Sequence, residues 1–315
     1  MRYLAEPIST IRDFDPKTGP LIPVSELPPA ERAWWSSLSR QSQVCAGHLD
    51  ASPEDSFWKS IAIVDDSPVS QFDALVEASQ AGVTLPDTLA CVALTGSGFH
   101  GNRRRPWQAL RGNLHFTSFC RLRLEAARCA PALSMLPTLA VTDVLLPLVG
   151  ELGSIKWVND VLLGGQKVAG SLVSSQGSGG EIDSFVLGIG LNLETAPRLG
   201  NQDLASEPTS LRAAGIALDT LEAFASLRVA LARRISQLLG PGGPEQLFAD
   251  YRQRSRVVGR LVAVYPETAV SANEVPIATG RLLAIHPDLS LEIEGHAERL
   301  RSGRLRLISE LSLPD

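Results

Sequence analysis

Hydrophobic and polar positions repeat along this chain with two periods, and the change from one to the other marks its organisation. Residues 1–55 show neither period. Pro7, Pro16, Pro20, Pro23, Pro28 and Pro29 interrupt them, so this stretch reads as an irregular extension. It carries one short helix around residues 31–40, with Trp34 and Trp35 packed onto the body. From Phe57 onward the pattern predicts a strand at 60–64 that ends in Asp65-Asp66-Ser67, a helix at 71–81, and a buried strand at 90–94. That strand leads into a glycine-bearing loop over 96–101. Leu114, Phe116 and Ser118 alternate with His115, Thr117 and Phe119, which predicts another strand. An apolar helix follows at 133–149, then strands at 166–175 and 184–193.

A long helix starts at Asp219, where Glu222 three residues on gives the spacing of a capping box. Leu221, Phe224, Leu227, Val229, Leu231, Ile235 and Leu238 continue it at helical spacing, and Gly240-Pro241-Gly242-Gly243-Pro244 ends it. A second helix runs to about residue 256. From Gly259 the period becomes two, with strands at 261–265, 277–284, 289–294 and 305–308. Short strands joined by turns predict a small barrel.

Composition narrows the function. The chain has 315 residues, 44% of them hydrophobic and 20% charged, with a formal net charge of −5. That balance speaks against non-specific binding to nucleic acid or a membrane surface. Arg103-Arg104-Arg105 is a local basic cluster, and no apolar run reaches the roughly 18 residues of a membrane span. Cys45, Cys91, Cys120 and Cys129 form no CxxC pair and the five histidines no HxxxH pair, which fits a reducing cytoplasm and gives no metal cage. Lysine is scarce: Lys17, Lys59, Lys156 and Lys167 stand against 25 arginines.

Two of those lysines fall in one segment, Lys156-Trp157-Val158-Asn159-Asp160 followed by Gly165-Gln166-Lys167-Val168-Ala169-Gly170. Read alone, it is equally a hairpin with two solvated lysines. The segment resembles the KWPND and G-x-K-[VL]-A-G motifs of the biotin–protein ligases, within the biotin/lipoate A/B family, with Val158 in place of proline. Gly188-Ile189-Gly190-Leu191-Asn192 resembles the G-x-G-x-N strand of that family. Pro208-Thr209-Ser210-Leu211 resembles its T-S-L turn, and Trp107 with Gly112-Asn113-Leu114 its W-x-S-P-x-G-N-L segment. All five occur in the family's order and spacing. Forming an acyl-adenylate brings a carboxylate against an α-phosphate, so fixed cations and N–H donors are required where the charge gathers. Glycines on alternate positions of a strand leave one face open to close approach, by a ligand or by tight packing.

The resemblance implies an α+β fold: a mixed β-sheet packed with helices, class II synthetase-like, over residues 56–257. A small all-β SH3-like barrel follows over 258–315, and 1–55 precede as an extension. It implies catalytic roles for Lys156, Asn159 and Asp160, at the carboxylate, the α-phosphate and magnesium. It places ATP by Arg103, Arg105, Trp107, Lys167 and Asn192. It places the acid by Asp66, Ser67, Thr95, His100, Gly101, Asn102, Gly170, Gly188 and Gly190. ATP and Mg²⁺ are the implied cofactors. Biotin is the default acid, and a lysine on an acceptor protein such as a biotin carboxyl carrier domain receives the acyl group. The resemblance leaves room for a homodimer.

Departures cluster in the acid-binding loop. Where the family reads G-R-G-R-x-G-R-x-W, this chain has His100 and Asn102 in place of the first two arginines, and keeps the last as Arg105. The D-S-T-N motif becomes Asp66-Ser67-Pro68-Val69, and Thr95, Gly96 and Ser97 occupy the region of the family's glutamine. A different acid (lipoate, a fatty acid or another small carboxylate), a non-catalytic ligand-binding relative, and ATP-independent acyl transfer therefore stand as alternatives.

Overall fold

The computed structural model describes residues 1–7, 19–49, 56–198, 204 and 206–308. Strands β1 (Arg2–Ala5), β2 (Leu21–Pro23) and β3 (Gln43–His48) come from the N-terminal stretch, with helix α1 (Pro29–Leu38) between β2 and β3. The main body adds β4 (Ser60–Ser67), α2 (Gln71–Gln80), β5 (Thr88–Gly96), β6 (Leu114–Cys120), β7 (Leu124–Glu125) and α3 (Ala126–Val149). Then come β8 (Gly153–Lys156), β9 (Asp160–Leu163), β10 (Gln166–Gln176), β11 (Glu181–Ile182), β12 (Ser184–Leu191), α4 (Thr220–Leu239) and α5 (Gly243–Arg254). The C-terminal strands are β13 (Leu261–Tyr265), β14 (Ala278–Ile285), β15 (Leu291–Ile293) and β16 (Arg304–Leu307).

Ten strands form one mixed sheet in the order β2-β3-β1-β4-β5-β6-β12-β10-β9-β8. Among the described strands, only the β1–β4 and β4–β5 pairings are parallel. The N-terminal stretch is thus no irregular extension in its described part. β1 lies in parallel register on β4, Arg2 beside Ser60, and β3 pairs with β1. The prolines that break the sequence pattern fall between these strands, at β2's last residue, or at the start of α1, where Pro29 presets the first turn. Pro16 lies outside the described residues.

Alternation along the central strands sends side chains to two cores. Ile61, Ile63, Val92, Phe116, Leu187 and Ile189 face α3, α4 and α5. Ala62, Val64, Cys91, Phe119 and Val186 face α1 and α2, where Trp34, Trp35 and Leu75 are buried. The predicted helix at 133–149 begins earlier, at Ala126, and runs through Pro131 and Pro137. Each proline removes one intrahelical bond. Burial of Cys129, Ala132, Leu133, Leu136 and Leu139 against the sheet holds the helix nonetheless. The stretch 126–152 is long and apolar enough to cross a membrane by length and composition, but 67% of its 18-residue apolar window is buried inside the fold, as in the core helix of a soluble domain. Asp219 caps α4, accepting hydrogen bonds from the Leu221 and Glu222 amides at 2.8 and 3.3 Å.

The last four strands make a separate antiparallel sheet, β15-β14-β13-β16, as the period-two pattern predicts. It docks beside the β8–β9 turn: Trp157 Nε1 donates to the Leu289 carbonyl at 2.8 Å. From α5, Tyr251 Oη donates to the Val158 carbonyl at 3.0 Å.

Candidate active site

Strand register builds the site. Asp160 on β9 stands beside Gly170 on β10, Gly170 beside Gly190 on β12, and Gly190 beside His115 on β6. A second row runs Leu172, Gly188, Thr117. Paired residues share a face, so both rows look toward α2. At roughly 4.8 Å per strand, the first row is about 14 Å long. A cavity of about 640 Å³ opens over it.

The glycines in the middle of these rows make room for rings of the protein itself. A Cβ on Gly190 would lie 2.4 Å from the Trp107 indole, and one on Gly188 would lie 3.0 Å from the Phe72 ring. Tight packing, one of the two readings of this strand, is therefore part of its role.

One end of the cavity is cationic. Lys156 is only 5% exposed, and its Nζ donates to Ser206 Oγ at 3.0 Å. Burial pushes its ammonium below the usual lysine range. Asp160 opposes that shift, while Lys167, Arg304 and Arg105 add to it. Lys167 Nζ lies 2.6 Å from Asp160 Oδ1 and 5.7 Å from the centre of the Trp107 ring. Burial alone would raise the Asp160 carboxyl, but Lys167 and Lys156 outweigh it and hold the group below its ordinary value. Asn159 ties its turn to β10, its Nδ2 donating to the Ser171 carbonyl at 2.6 Å. The Trp157–Val158 peptide in this turn is cis. Asn192 Nδ2 donates to the Thr209 carbonyl at 2.9 Å, whereas Asn192 Oδ1 and Trp107 Nε1 are buried with no protein partner among the described residues. Buried polar atoms without partners are costly, so a lined cavity holding two of them suits a polar ligand.

The other end is aromatic. His115 Nε2–H donates to the Leu110 carbonyl at 3.1 Å, leaving buried Nδ1 as a bare acceptor. Burial pushes this imidazole down to about 4. Phe99 meets it edge-on at 5.5 Å and covers Gly96, where a Cβ would lie 2.6 Å from the Phe99 ring.

The loop between β5 and Trp107 closes on itself. The Trp107 amide donates to the Phe99 carbonyl at 2.9 Å, and the Gly101 amide donates to the Arg105 carbonyl at 2.7 Å. His100 is engaged on both ring nitrogens: Nε2 lies 2.8 Å from Asp73 Oδ2, and Nδ1 2.9 Å from the Gly101 carbonyl.

Residues 81–192 match the biotin/lipoate A/B protein ligase family. The biotin–[acetyl-CoA-carboxylase] ligase of Mycobacterium tuberculosis is 32% identical over 219 residues, covering 66% of this chain and 75% of that protein. The chain belongs to this family. The ligase of the same name from Paracoccus denitrificans is 39% identical over 142 residues, covering 44% of this chain and 59% of its own length. The biotin protein ligase of Aquifex aeolicus, solved with biotin and ATP, shares the fold. Its TM-score is 0.59 at 19% identity, covering 80% of this chain and 99% of the other.

Of the residues the family motifs single out, the cavity lining includes Lys156, Asn159, Asp160, Lys167, Asn192, Arg105 and Trp107. His100, Gly101, Asn102, Gly170, Gly188 and Gly190 line it as well. Asp66, Ser67, Thr95 and Arg103 stand outside the lining. Ser67 Oγ donates to the Val69 carbonyl at 2.8 Å and Thr95 Oγ1 to the Ala109 carbonyl at 2.9 Å, so both hydroxyls are spent on backbone. Asp66 is exposed at the end of β4, and Arg103, itself outside the lining, pairs with Glu267, which lies in it. Sequence reasoning missed His115 and Arg304 of β16, which line the cavity, and Asp73, which stands outside the lining and holds His100. Nothing in the spacing of 301–304 marks Arg304; only the docking of that sheet brings it in. Asn113 of the G-N-L segment has a structural role. Its Oδ1 accepts from the Leu193, Glu194 and Thr195 amides at 3.0, 3.0 and 3.1 Å, fixing the exit of β12.

Proposed function

We propose that this protein is an ATP-dependent ligase. The carboxylate of a carboxylic acid attacks the α-phosphate of ATP, giving acyl-AMP and releasing pyrophosphate, and a lysine amine of an acceptor protein then takes the acyl group and releases AMP. The observation that carries the reading is the buried Lys156 beside the Lys167–Asp160 ion pair, at one end of a cavity whose floor is the Gly188–Gly190 strand. The acid carboxylate and the α-phosphate are both anionic. Lys156 and Lys167 neutralise them and Asp160 keeps the two ammonium groups in place, so the anions can approach. Trp107 offers a flat apolar face for adenine. Asp160 is the carboxylate that would hold magnesium carried in on the nucleotide's phosphates, an ion that would neutralise phosphate charge and is usually bound through one or two carboxylates with several waters kept. The barrel from about residue 258 acts as a second unit of the enzyme, and biotin is the default acid on the strength of the relatives' names.

A second reading of the acid has its own support. The far end of the cavity has Phe99 over Gly96 and a neutral His115, while Ser67 and Thr95 are turned to backbone carbonyls and Asp66 is exposed to solvent. A ureido ring presents two N–H donors and a carbonyl, and each left unpaired costs about 1–3 kcal/mol. An acid with an apolar far end, such as lipoate or octanoate, avoids that cost.

Incubation with α-labelled ATP and one acid at a time tests both. Acid-dependent acyl-AMP supports the ligase, and the acid that yields most of it decides between biotin and an apolar acid. Nucleotide binding without acyl-AMP for any acid would contradict the assignment.

A further inference from the structure

The loop between β5 and Trp107 supplies Phe99, His100, Gly101, Asn102 and Arg105 to the cavity wall. Its tip is in a disfavoured conformation. Arg103 and Arg104 are consecutive non-glycine residues in the left-handed region, at φ 57° and 54°. The bonds from Trp107 to Phe99 and from Gly101 to Arg105 close the loop on itself without fixing that tip to the body. Among the described residues, two carboxylates hold it from outside. Glu267 pairs with Arg103, whose side chain is 65% exposed, so solvent screens that contact. The second is Asp73. His100 Nε2 lies 3.0 Å from its Oδ1 and 2.8 Å from its Oδ2, and here the side chains are only 13% and 24% exposed. Arg104 Nη1 adds a looser contact to the same carboxylate at 3.7 Å. His100 Nδ1 faces the Gly101 carbonyl, which leaves no ring nitrogen to take a proton from a substrate. Asp73 itself is rigidly placed. It stands in the first turn of α2, next to Phe72, whose ring packs on Gly188. Adjacent residues of one helix thus set both the loop and the floor of the cavity.

We propose that Asp73 is a positioning residue for the reaction. Acting through His100, it latches the loop over the cavity before any ligand arrives. The ligand then has no loop to order, and its affinity is higher by what that ordering would have cost. The identity of the ligand rests on the ligase reading, whereas the latch does not.

Trypsin reads the latch on the full chain without ligand. It cuts the loop after Arg103 and Arg104, while Pro106 protects the bond after Arg105. Cleavage at a segment that opens locally tracks its open population. Asp73→Ala should speed cleavage at these two bonds by roughly 3- to 30-fold. Asp73→Asn, which keeps an acceptor, should recover part of the loss. Adding Asp73→Ala to His100→Ala should change the rate by less than about twofold, because either substitution removes the same contact. In acid-dependent pyrophosphate exchange, Asp73→Ala should raise the KM for the acid by roughly 3- to 30-fold and keep kcat within about twofold, since saturating ligand closes the loop again. Unchanged cleavage in Asp73→Ala would overturn the proposal, as would additive effects of the two substitutions. Early cuts scattered over the chain would mean global unfolding and overturn it too, as would a fall in kcat with KM unchanged. If cleavage depends on Asp73 and His100 but no acid supports exchange, the latch stands and the ligase reading falls.

Discussion

Adding one methyl group at Gly190 tests how the floor of the cavity is built. In Gly190→Ala the new Cβ would lie 2.4 Å from Cε2 and Cζ2 of Trp107. Carbon atoms in contact sit about 3.5–4.0 Å apart, so the indole must retreat by more than about 1 Å. Overpacking of this kind costs about 1–3 kcal/mol. Trp107 is the proposed adenine platform, and its displacement takes that cost from nucleotide binding, a loss of roughly 5- to 150-fold at 1.4 kcal/mol per tenfold. Calorimetric titration with ATP and urea denaturation, run in parallel, separate lost affinity from lost stability. The control is Trp107→Ala. With the ring gone, Gly190→Ala should cost no more than about 0.5 kcal/mol in either assay, so the double-mutant cycle shows coupling. Wild-type ATP affinity together with wild-type stability in Gly190→Ala would refute the account of this strand. So would an equal penalty with and without the indole, because the glycine would then be needed for another reason.

Other predictions follow from the same geometry. His115 has a folded value of about 4 against 6.5 in the unfolded chain, so the unfolded state binds more protons between those values. Stability should fall as pH drops through that window, by about 3 kcal/mol when complete. His115→Leu should flatten this part of the curve; denaturation midpoints at pH 7 and pH 4.5 that shift equally in both proteins would contradict it. Asn113→Ala frees three amides at the exit of β12 and should cost about 2–4 kcal/mol in urea denaturation. A change below about 0.5 kcal/mol would mean that solvent replaces those bonds.

Much of the fold was readable because burial follows periodicity. β13 begins and ends where the period-two pattern places it, and α4 starts at the residue after its Asp219 cap. The N-terminal strands were not readable. β1 is four residues long and β2 three, too short to show a period, and their pairing partners lie far away in sequence. The start of α3 was hidden by Pro131, where packing overrides local preference. In the site, the lysine-bearing turn and the glycine strand stood out because lysine is rare here and the motifs keep their order. Arg304, Asp73 and His115 did not, because docking, a helix face and strand register bring them in, none of which leaves a local motif. Asp66, Ser67 and Thr95 were candidates by alignment, yet their side chains are turned to solvent or to nearby carbonyls.

The central claim is that Lys156 neutralises the two anions that react. Acid-dependent exchange of labelled pyrophosphate into ATP, measured for the wild type, Lys156→Ala and Lys156→Arg, tests it most directly. Loss of an electrostatic contact made at the transition state costs about 10²- to 10³-fold in rate. The account predicts a loss of at least that order in Lys156→Ala, with secondary structure retained, and partial recovery in Lys156→Arg. Because burial holds the ammonium below the usual lysine range, wild-type exchange should also decline on the alkaline side at a pH lower than a solvated lysine would give. Exchange at the wild-type rate in folded Lys156→Ala would contradict the account.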